Sequence, residues 1–374
     1  MNYLIIAGEA SGDLHASHLM TALTNADKEA AFVFLGGDKM AAAAGHAPLV
    51  HIRDMAFMGF SEVLRNLGAI RRNLATAKRA LAQRRPDALI LVDYPSFNLK
   101  IAAHAKKLGI PVFYYISPKV WAWKEYRVKQ IKRLVDKMFV IFPFEVDFYR
   151  KRHDFDVVFV GNPSVAEVDA LLAHLPSRED FLKTNGLRDR PLIALLPGSR
   201  IGEIRNNLSI MTGVADTLPQ YRAVIAGAPG IDIETYRRFT DLPIVYDRTV
   251  ELLAHSRAAL VTSGTATLET ALTGTPQVAC YRSNGSKTAY NLMKRILKVP
   301  FVTLPNLIAD TEIIPEMLLH NCTVESVSSQ LFPLLGNTET RSRMLEGYAM
   351  VRRRLAAPGS APANAARAIV DYLR

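Results

Sequence analysis

Tyr3-Leu4-Ile5-Ile6-Ala7 running into Gly8-Glu9-Ala10-Ser11-Gly12-Asp13 opens the chain, and Leu192-Ile193-Ala194-Leu195-Leu196 running into Pro197-Gly198-Ser199-Arg200 repeats its grammar. Each is a short apolar run, then a glycine-bearing turn, then a helix-length amphipathic stretch, which is the pattern of a strand buried on both faces of a parallel sheet. Working outward, similar runs recur at Phe32 to Leu35, Ala88 to Val92, Val112 to Ile116, Met138 to Phe142 and Val157 to Val160. A second series follows at Ala223 to Ala226, Pro243 to Tyr246, Ala258 to Val261 and Gln277 to Tyr281. Strands alternating with helices twice over predict an α/β protein of two Rossmann-like, doubly wound domains, with ligands at the carboxyl ends of both sheets. The boundaries read as 1–164, 165–337 and a helical tail at 338–374; one large sheet is the alternative.

The 374 residues carry 46 Lys and Arg against 35 Asp and Glu, a formal net charge of +11, with 49% apolar and 22% charged residues. That composition is globular and excludes wholesale disorder. Cys280 and Cys322 are too few for a disulfide framework, and no Cys or His spacing suits a metal. The N-terminus reads as a first strand rather than a signal peptide, and no apolar window is long enough to span a membrane. The cations concentrate in the first half: residues 51–85 hold eight against two acids, and residues 100–133 nine against one. An anionic surface or ligand is the implied partner. Nucleic acid is not expected, because aromatic interleaving and RNP-like strands are missing.

The turns carry the candidate chemistry. Ser199 and Arg200 open a helix where backbone N–H groups and a guanidinium fork suit phosphate oxygens, although the lysine of a Walker loop is missing. Thr262-Ser263-Gly264-Thr265-Ala266-Thr267-Leu268-Glu269 is a second such turn: its small and hydroxyl residues suit a diphosphate, and Glu269 can accept both ribose hydroxyls. The competing readings are a solvent-facing arginine at a helix start for the first and an ordinary capped helix, with Glu269 complementing its dipole, for the second. In the first half, Gly8 to Asp13 departs from GxGxxG, since Ala10 stands at the second glycine position, and instead presents Glu9, Ser11, Gly12 and Asp13. Asp93 directly follows a strand and is a candidate general base on a sugar hydroxyl, or else a helix cap.

Trp121 and Trp123 lie in Ser117-Pro118-Lys119-Val120-Trp121-Ala122-Trp123, read either as a wall for sugar or acyl chain or as core. Asp154-Phe155-Asp156 is the one Asp-x-Asp, but it precedes a strand and is not read as a metal site. Met55, Phe57, Met58 and Phe60 beside Arg65, Arg71 and Arg72 describe an interfacial helix on an anionic bilayer, with a packed amphipathic helix as the alternative.

Taken in order, GEASGD (Gly8 to Asp13), MGFSEV (Met58 to Val63), DYPSFN (Asp93 to Asn98), SPKVWAW (Ser117 to Trp123), PFE (Pro143 to Glu145), LPGSR (Leu196 to Arg200) with Glu203, GTATLE (Gly264 to Glu269), and Pro305-Asn306-Leu307 with Pro315-Glu316 resemble the lipid-A-disaccharide synthase family over nearly the full chain.

The resemblance implies a GT-B fold and an inverting glycosyltransferase, peripheral on the cytoplasmic face of the inner membrane. It would join UDP-2,3-diacylglucosamine to 2,3-diacylglucosamine 1-phosphate (lipid X), releasing UDP and forming the β-1,6 disaccharide, with no cofactor or catalytic metal. UDP would be held by Ser199, Arg200, Gly264, Thr265, Ala266, Thr267 and Glu269, with Asn306 and Glu316 approaching from later loops, while Asp93 deprotonates the acceptor. The family's exchange of C-terminal helices leaves two destinations for the tail, the first domain or a partner in a homodimer. Ser96 stands where the family often has a second Asp, and Asn162 where it often has His. Other GT-B enzymes using UDP-GlcNAc, a glycosyltransferase or a 2-epimerase, and a lipid-binding module remain open as alternatives.

Overall fold

The computed structural model describes residues 1–55, 65–262, 264–282 and 300–374 and divides the chain into two compact units, Met1–Pro163 with Leu355–Arg374, and Ser164–Arg354.

The first unit is built on seven parallel strands: β1 (Asn2–Ala7), β2 (Ala31–Gly36), β3 (Val50–His51), β4 (Ala88–Val92), β5 (Val112–Tyr115), β6 (Lys137–Val140) and β7 (Val158–Phe159). Their spatial order is β3-β2-β1-β4-β5-β6-β7. β1 and β4 lie side by side in the middle, β4 buried throughout and β1 buried from Tyr3 to Ala7, as their apolar runs require. The order reverses between them, so their carboxyl ends form the switch point where this architecture leaves space for a ligand. β3, a two-residue edge strand, carries no apolar run and is not foreseen from sequence.

The second unit has six parallel strands, β8 (Leu192–Leu196), β9 (Arg222–Gly227), β10 (Ile244–Tyr246), β11 (Ser256–Thr262), β12 (Gln277–Tyr281) and β13 (Glu316–Leu318), in the order β10-β9-β8-β11-β12-β13. Alternate side chains feed two cores: Ile193, Leu195, Ala258 and Leu260 face one, while Leu192, Ala194, Leu196, Ala259 and Val261 face the other. β8 and β11 flank this unit's switch point, with Leu196 opposite Val261.

The tail divides. Met344 and Tyr348 of helix Glu339–Leu355 are buried in a core of the second unit, whereas helix Ala361–Leu373 packs on helix Ala10–Ala26 of the first. Tyr372 there meets Phe113 edge-on, with ring centroids 5.3 Å apart. The division between the units falls within the tail, at Leu355, because the apolar side chains of the helix before it already have a place in the second sheet's core. Among the described residues no helix is long and apolar enough to cross a membrane.

Candidate active site

In the first unit, the register pairs Ala7 with Val92, so Gly8 and Asp93 emerge next to each other. A Cβ on Gly8 would lie 2.4 Å from the Tyr94 ring, which is why glycine follows β1. The Tyr94 hydroxyl donates to the Met55 carbonyl at 2.8 Å and fixes that ring. Asp93 and Tyr94 both take left-handed backbone angles, φ 42° and 46°, a conformation that costs non-glycine residues energy and tends to persist where function requires it. The strain is held by hydrogen bonds: Asn98 Nδ2 donates to the Asp93 carbonyl at 2.7 Å, and the Tyr114 hydroxyl donates to the same oxygen. Burial pushes the Asp93 carboxyl above the usual range, while Lys119, the Tyr94 amide and His15 pull it back.

The neighbours of Asp93 have mixed roles. Glu9 is the cap residue of helix Ala10–Ala26, and its charge adds to the burial that raises the Tyr94 phenol. Ser11 is exposed, and Gly12 is buried against Ala7. Asp13 is committed elsewhere: its carboxylate accepts from the amides of Gly37, Lys39 and Met40 at 2.7, 3.1 and 3.1 Å, holding the start of helix Asp38–Ala44. It is structural rather than an open acceptor contact.

Trp121 is core rather than an open wall. It is buried, it meets Phe144 edge-on, and its indole N–H donates to Glu145 at 3.2 Å. Glu145, for which the sequence offered only a motif, is fully buried and also accepts from the amides of Ile141 and Phe142 at 3.3 and 3.1 Å. Burial pushes its carboxyl up to about 7 against those bonds. The Trp123 side chain and residues Phe57, Met58 and Phe60 lie outside the described residues.

Met55 is not membrane-facing: it is buried at 1% exposure, since the apolar side chain finds the unit's core one residue after a turn. Arg65, Arg71 and Arg72 are exposed, the latter two on helix Leu67–Arg84. Asp154 and Asp156 pair with Lys132 and Arg150 at 3.1 and 2.9 Å, so their carboxylates answer separate cations. Ser96 accepts from Arg127 at 3.2 Å, and Asn162 donates to the Ile141 carbonyl at 3.2 Å.

In the second unit the turn after β8 needs glycine, because Gly198 sits at φ 118° and a Cβ there would meet Glu203 at 2.6 Å. Glu203, in the first turn of helix Ile201–Asp216, accepts from the Ser199 amide at 3.0 Å and from Arg200 at 2.7 Å. The donors suited to phosphate are therefore gathered on one carboxylate, and the Arg200 side chain stays largely exposed. After β11, Gly264 (φ 140°) caps helix Thr265–Leu272, with Thr265 exposed and Ala266 half-buried beside it. The Thr262 hydroxyl at the strand end is buried with no partner among the described residues. Thr267 is fully buried, and its hydroxyl donates to the Gly264 carbonyl at 2.8 Å, so it shapes the turn from inside. Glu269 is pushed up by burial and by Glu167, a neighbour 102 positions earlier that no local motif could reveal.

Asn306 and Glu316 do not reach out as expected. Asn306 is fully buried, donates to the Ile314 carbonyl and to Glu316 at 2.9 and 3.0 Å, and accepts from Ile313 and Ile314. Glu316 accepts from the amides of Val302 and Thr303 and from the Thr303 hydroxyl. A buried polar group must be paired, and Asn306 is paired with the half-buried Glu316 and with nearby backbone.

Comparisons with known proteins converge. The family profile described as lipid-A-disaccharide synthetase matches residues 3–358. The chain is 40% identical over 380 residues to the lipid-A-disaccharide synthase of Myxococcus xanthus, covering 99% of this chain and 97% of that one. It is 36% identical to that of Nitrosococcus oceani, covering 94% and 92%. Among solved structures, UDP-GlcNAc 2-epimerase from Neisseria meningitidis aligns with a TM-score of 0.65 over 100% of this chain and 99% of that chain at 13% identity. Acinetobacter baumannii MurG aligns with 0.54 over 100% and 98% at 14%. At such identities these structures speak for the GT-B fold alone.

Proposed function

The chain belongs to the lipid-A-disaccharide synthase family and is a glycosyltransferase, and from that premise we propose how its residues divide the reaction. The second unit holds the UDP moiety of UDP-2,3-diacylglucosamine: the Ser199 amide and Arg200 take the diphosphate with the Gly264 to Ala266 turn, and Glu269 takes the ribose hydroxyls. Thr267 supports that turn from within, and Asn306 with Glu316 braces the loop beside β13. The first unit holds lipid X and supplies the base.

Asp93 accepts the proton of the acceptor's 6-hydroxyl. That oxygen forms a bond to the anomeric carbon as the bond from the anomeric carbon to the UDP oxygen breaks on the opposite face, and the electron pair leaves with UDP. Helix N-termini and Arg200 stabilise the charge that develops on the diphosphate. The single observation that carries this reading is the position of Asp93: a partly desolvated carboxyl on strained backbone at the switch point of the first sheet. A carboxylate whose proton affinity is raised is a better base near neutral pH than a solvated one.

The exposed cations Arg65, Arg71 and Arg72, with Lys78 and Arg79 on the same helix, support docking on the anionic cytoplasmic face of the inner membrane, where both lipid substrates reside. Helix Ala361–Leu373 packs on helix Ala10–Ala26, the seat that the tail takes in either destination, its own first domain or that of a partner. The deciding experiment is UDP release from the two diacyl substrates. Wild-type chain releases UDP, Asp93→Asn binds UDP but turns over orders of magnitude more slowly, and full activity in that variant removes Asp93 from the role.

A further inference from the structure

At the amino ends of β8 and β11, the opposite pole of the second sheet from the nucleotide turns, lies a surface pocket of about 490 Å³. Four arginines line it, Arg178, Arg190, Arg257 and Arg341, against one carboxylate, Asp189. Arg178 accounts for that acid, bonding Asp189 at 3.2 Å, and also donates to the His255 and Arg190 carbonyls.

The other three cations have no carboxylate partner among the described residues. Arg257 donates to the Leu335 carbonyl and Asn337 Oδ1, both at 2.7 Å; Arg341 donates through Nη1 to the Arg257 and Leu334 carbonyls, both at 2.8 Å; Arg190 reaches the Pro219 carbonyl at 3.3 Å. The Leu334 and Leu335 carbonyls end helix Val324–Leu335, so its dipole gives partial compensation. Burial and the neighbouring Arg257 charge destabilise the Arg341 cation, with Tyr348 and Tyr221 opposing them in part. Nη1 of Arg257 and Nε and Nη2 of Arg341 also lack acceptors among the described residues. Like charges held together in a half-buried pocket with donors to spare call for a counter-ion. Guanidinium forks match the paired oxygens of a phosphoryl group.

We propose that this pocket binds a phosphate-bearing anion, at a site separate from the nucleotide turns. Two sources offer that chemistry, a free phosphate and the headgroup of an anionic phospholipid. The inference does not depend on the assignment of UDP to the other pole.

The test uses the full chain and two variants, Arg190→Gln and Arg190→Gln/Arg257→Gln. The first alters only an exposed side chain, so it stays informative if loss of the Arg257 bonds unfolds the second. Inorganic phosphate is titrated by calorimetry at low ionic strength with UDP present. In parallel, sedimentation is measured with phosphatidylglycerol vesicles against phosphatidylcholine vesicles. Weakening of phosphate binding by about tenfold in the double variant, with a smaller loss in the single, supports a free-phosphate source. No phosphate binding, but phosphatidylglycerol association that weakens in the variants, supports a headgroup source. Variants that match wild type with both probes overturn the proposal. A chain that fails to bind UDP while the arginine variants still lose phosphate would refute the nucleotide assignment and leave this one standing.

Discussion

The two units share a strand order around their switch points yet fill them with opposite materials. After β4, the first unit places non-glycine residues in left-handed backbone and partly buries a carboxyl there. After β8 and β11, the second places glycines at φ 118° and 140° with amides and hydroxyls beside them. The difference teaches that one architecture can offer two chemistries: in the proposed division of labour the strained, desolvated turn serves as base, and the relaxed, donor-rich turn serves as the seat for an anion.

The sharpest way to break this comparison is Asp93→Asn, for which turnover should fall about 10²–10⁴-fold while UDP affinity, read by calorimetry, stays at the wild-type value. A parallel loss of both would merge the two roles. Arg200→Ala should do the reverse, weakening UDP binding by roughly tenfold or more in the same assay. Gly8→Ala forces a methyl into the Tyr94 ring; we expect a loss of about 1–3 kcal/mol in stability, read from denaturant unfolding, together with reduced turnover.

Two pH experiments sharpen the electrostatics. Asp93 must be ionised to act and its carboxyl is raised, so activity should fall with acid at a higher pH than for an ordinary carboxylate. Lys119→Gln removes the larger opposing charge and should move that limb higher still. Glu145 holds its proton to about 7 when folded, against about 4.3 in an unfolded chain. Between those values the folded state binds more protons, so its contribution to stability falls as pH rises, and Glu145→Gln should remove that slope from thermal melts. The smallest effect concerns the membrane: vesicle binding through Arg71 and Arg72 should weaken with added salt, with UDP affinity little changed.

Much of this was legible locally. An apolar run buried on both faces reads as a parallel strand whatever surrounds it, and the turns after β1, β4, β8 and β11 were visible because glycine, hydroxyl and acid types are required within a few residues of a strand end. The short edge strands β3 and β13 were not, although β7 and β10, equally short and equally at an edge, sit in apolar runs that could be read; where a strand of two or three residues has no such run, its partner makes it rather than its own pattern.

The site residues divide the same way. Sequence determined which residues stand at the switch points, because chain order fixes the turn that leaves each strand. Only tertiary structure decided which polar groups remain available there. Asp13 and Asn306 lie in motifs as promising as that of Asp93, yet Asp13 holds a distant helix start, and Asn306 is locked with Glu316. Met55 and Trp121, apolar enough for a membrane or a ligand wall, are in the core. Glu145 stood in a motif that gave no sign of its burial, and Glu167 and the arginine pocket have no local signature at all. The physical reason is common to them: whether a polar group is solvated, paired or stranded depends on burial and on partners that can be near in sequence, as for Asn306 and Glu316, or tens of residues away, as for Asp13 and Gly37, and the burial exists only once the sheets have formed.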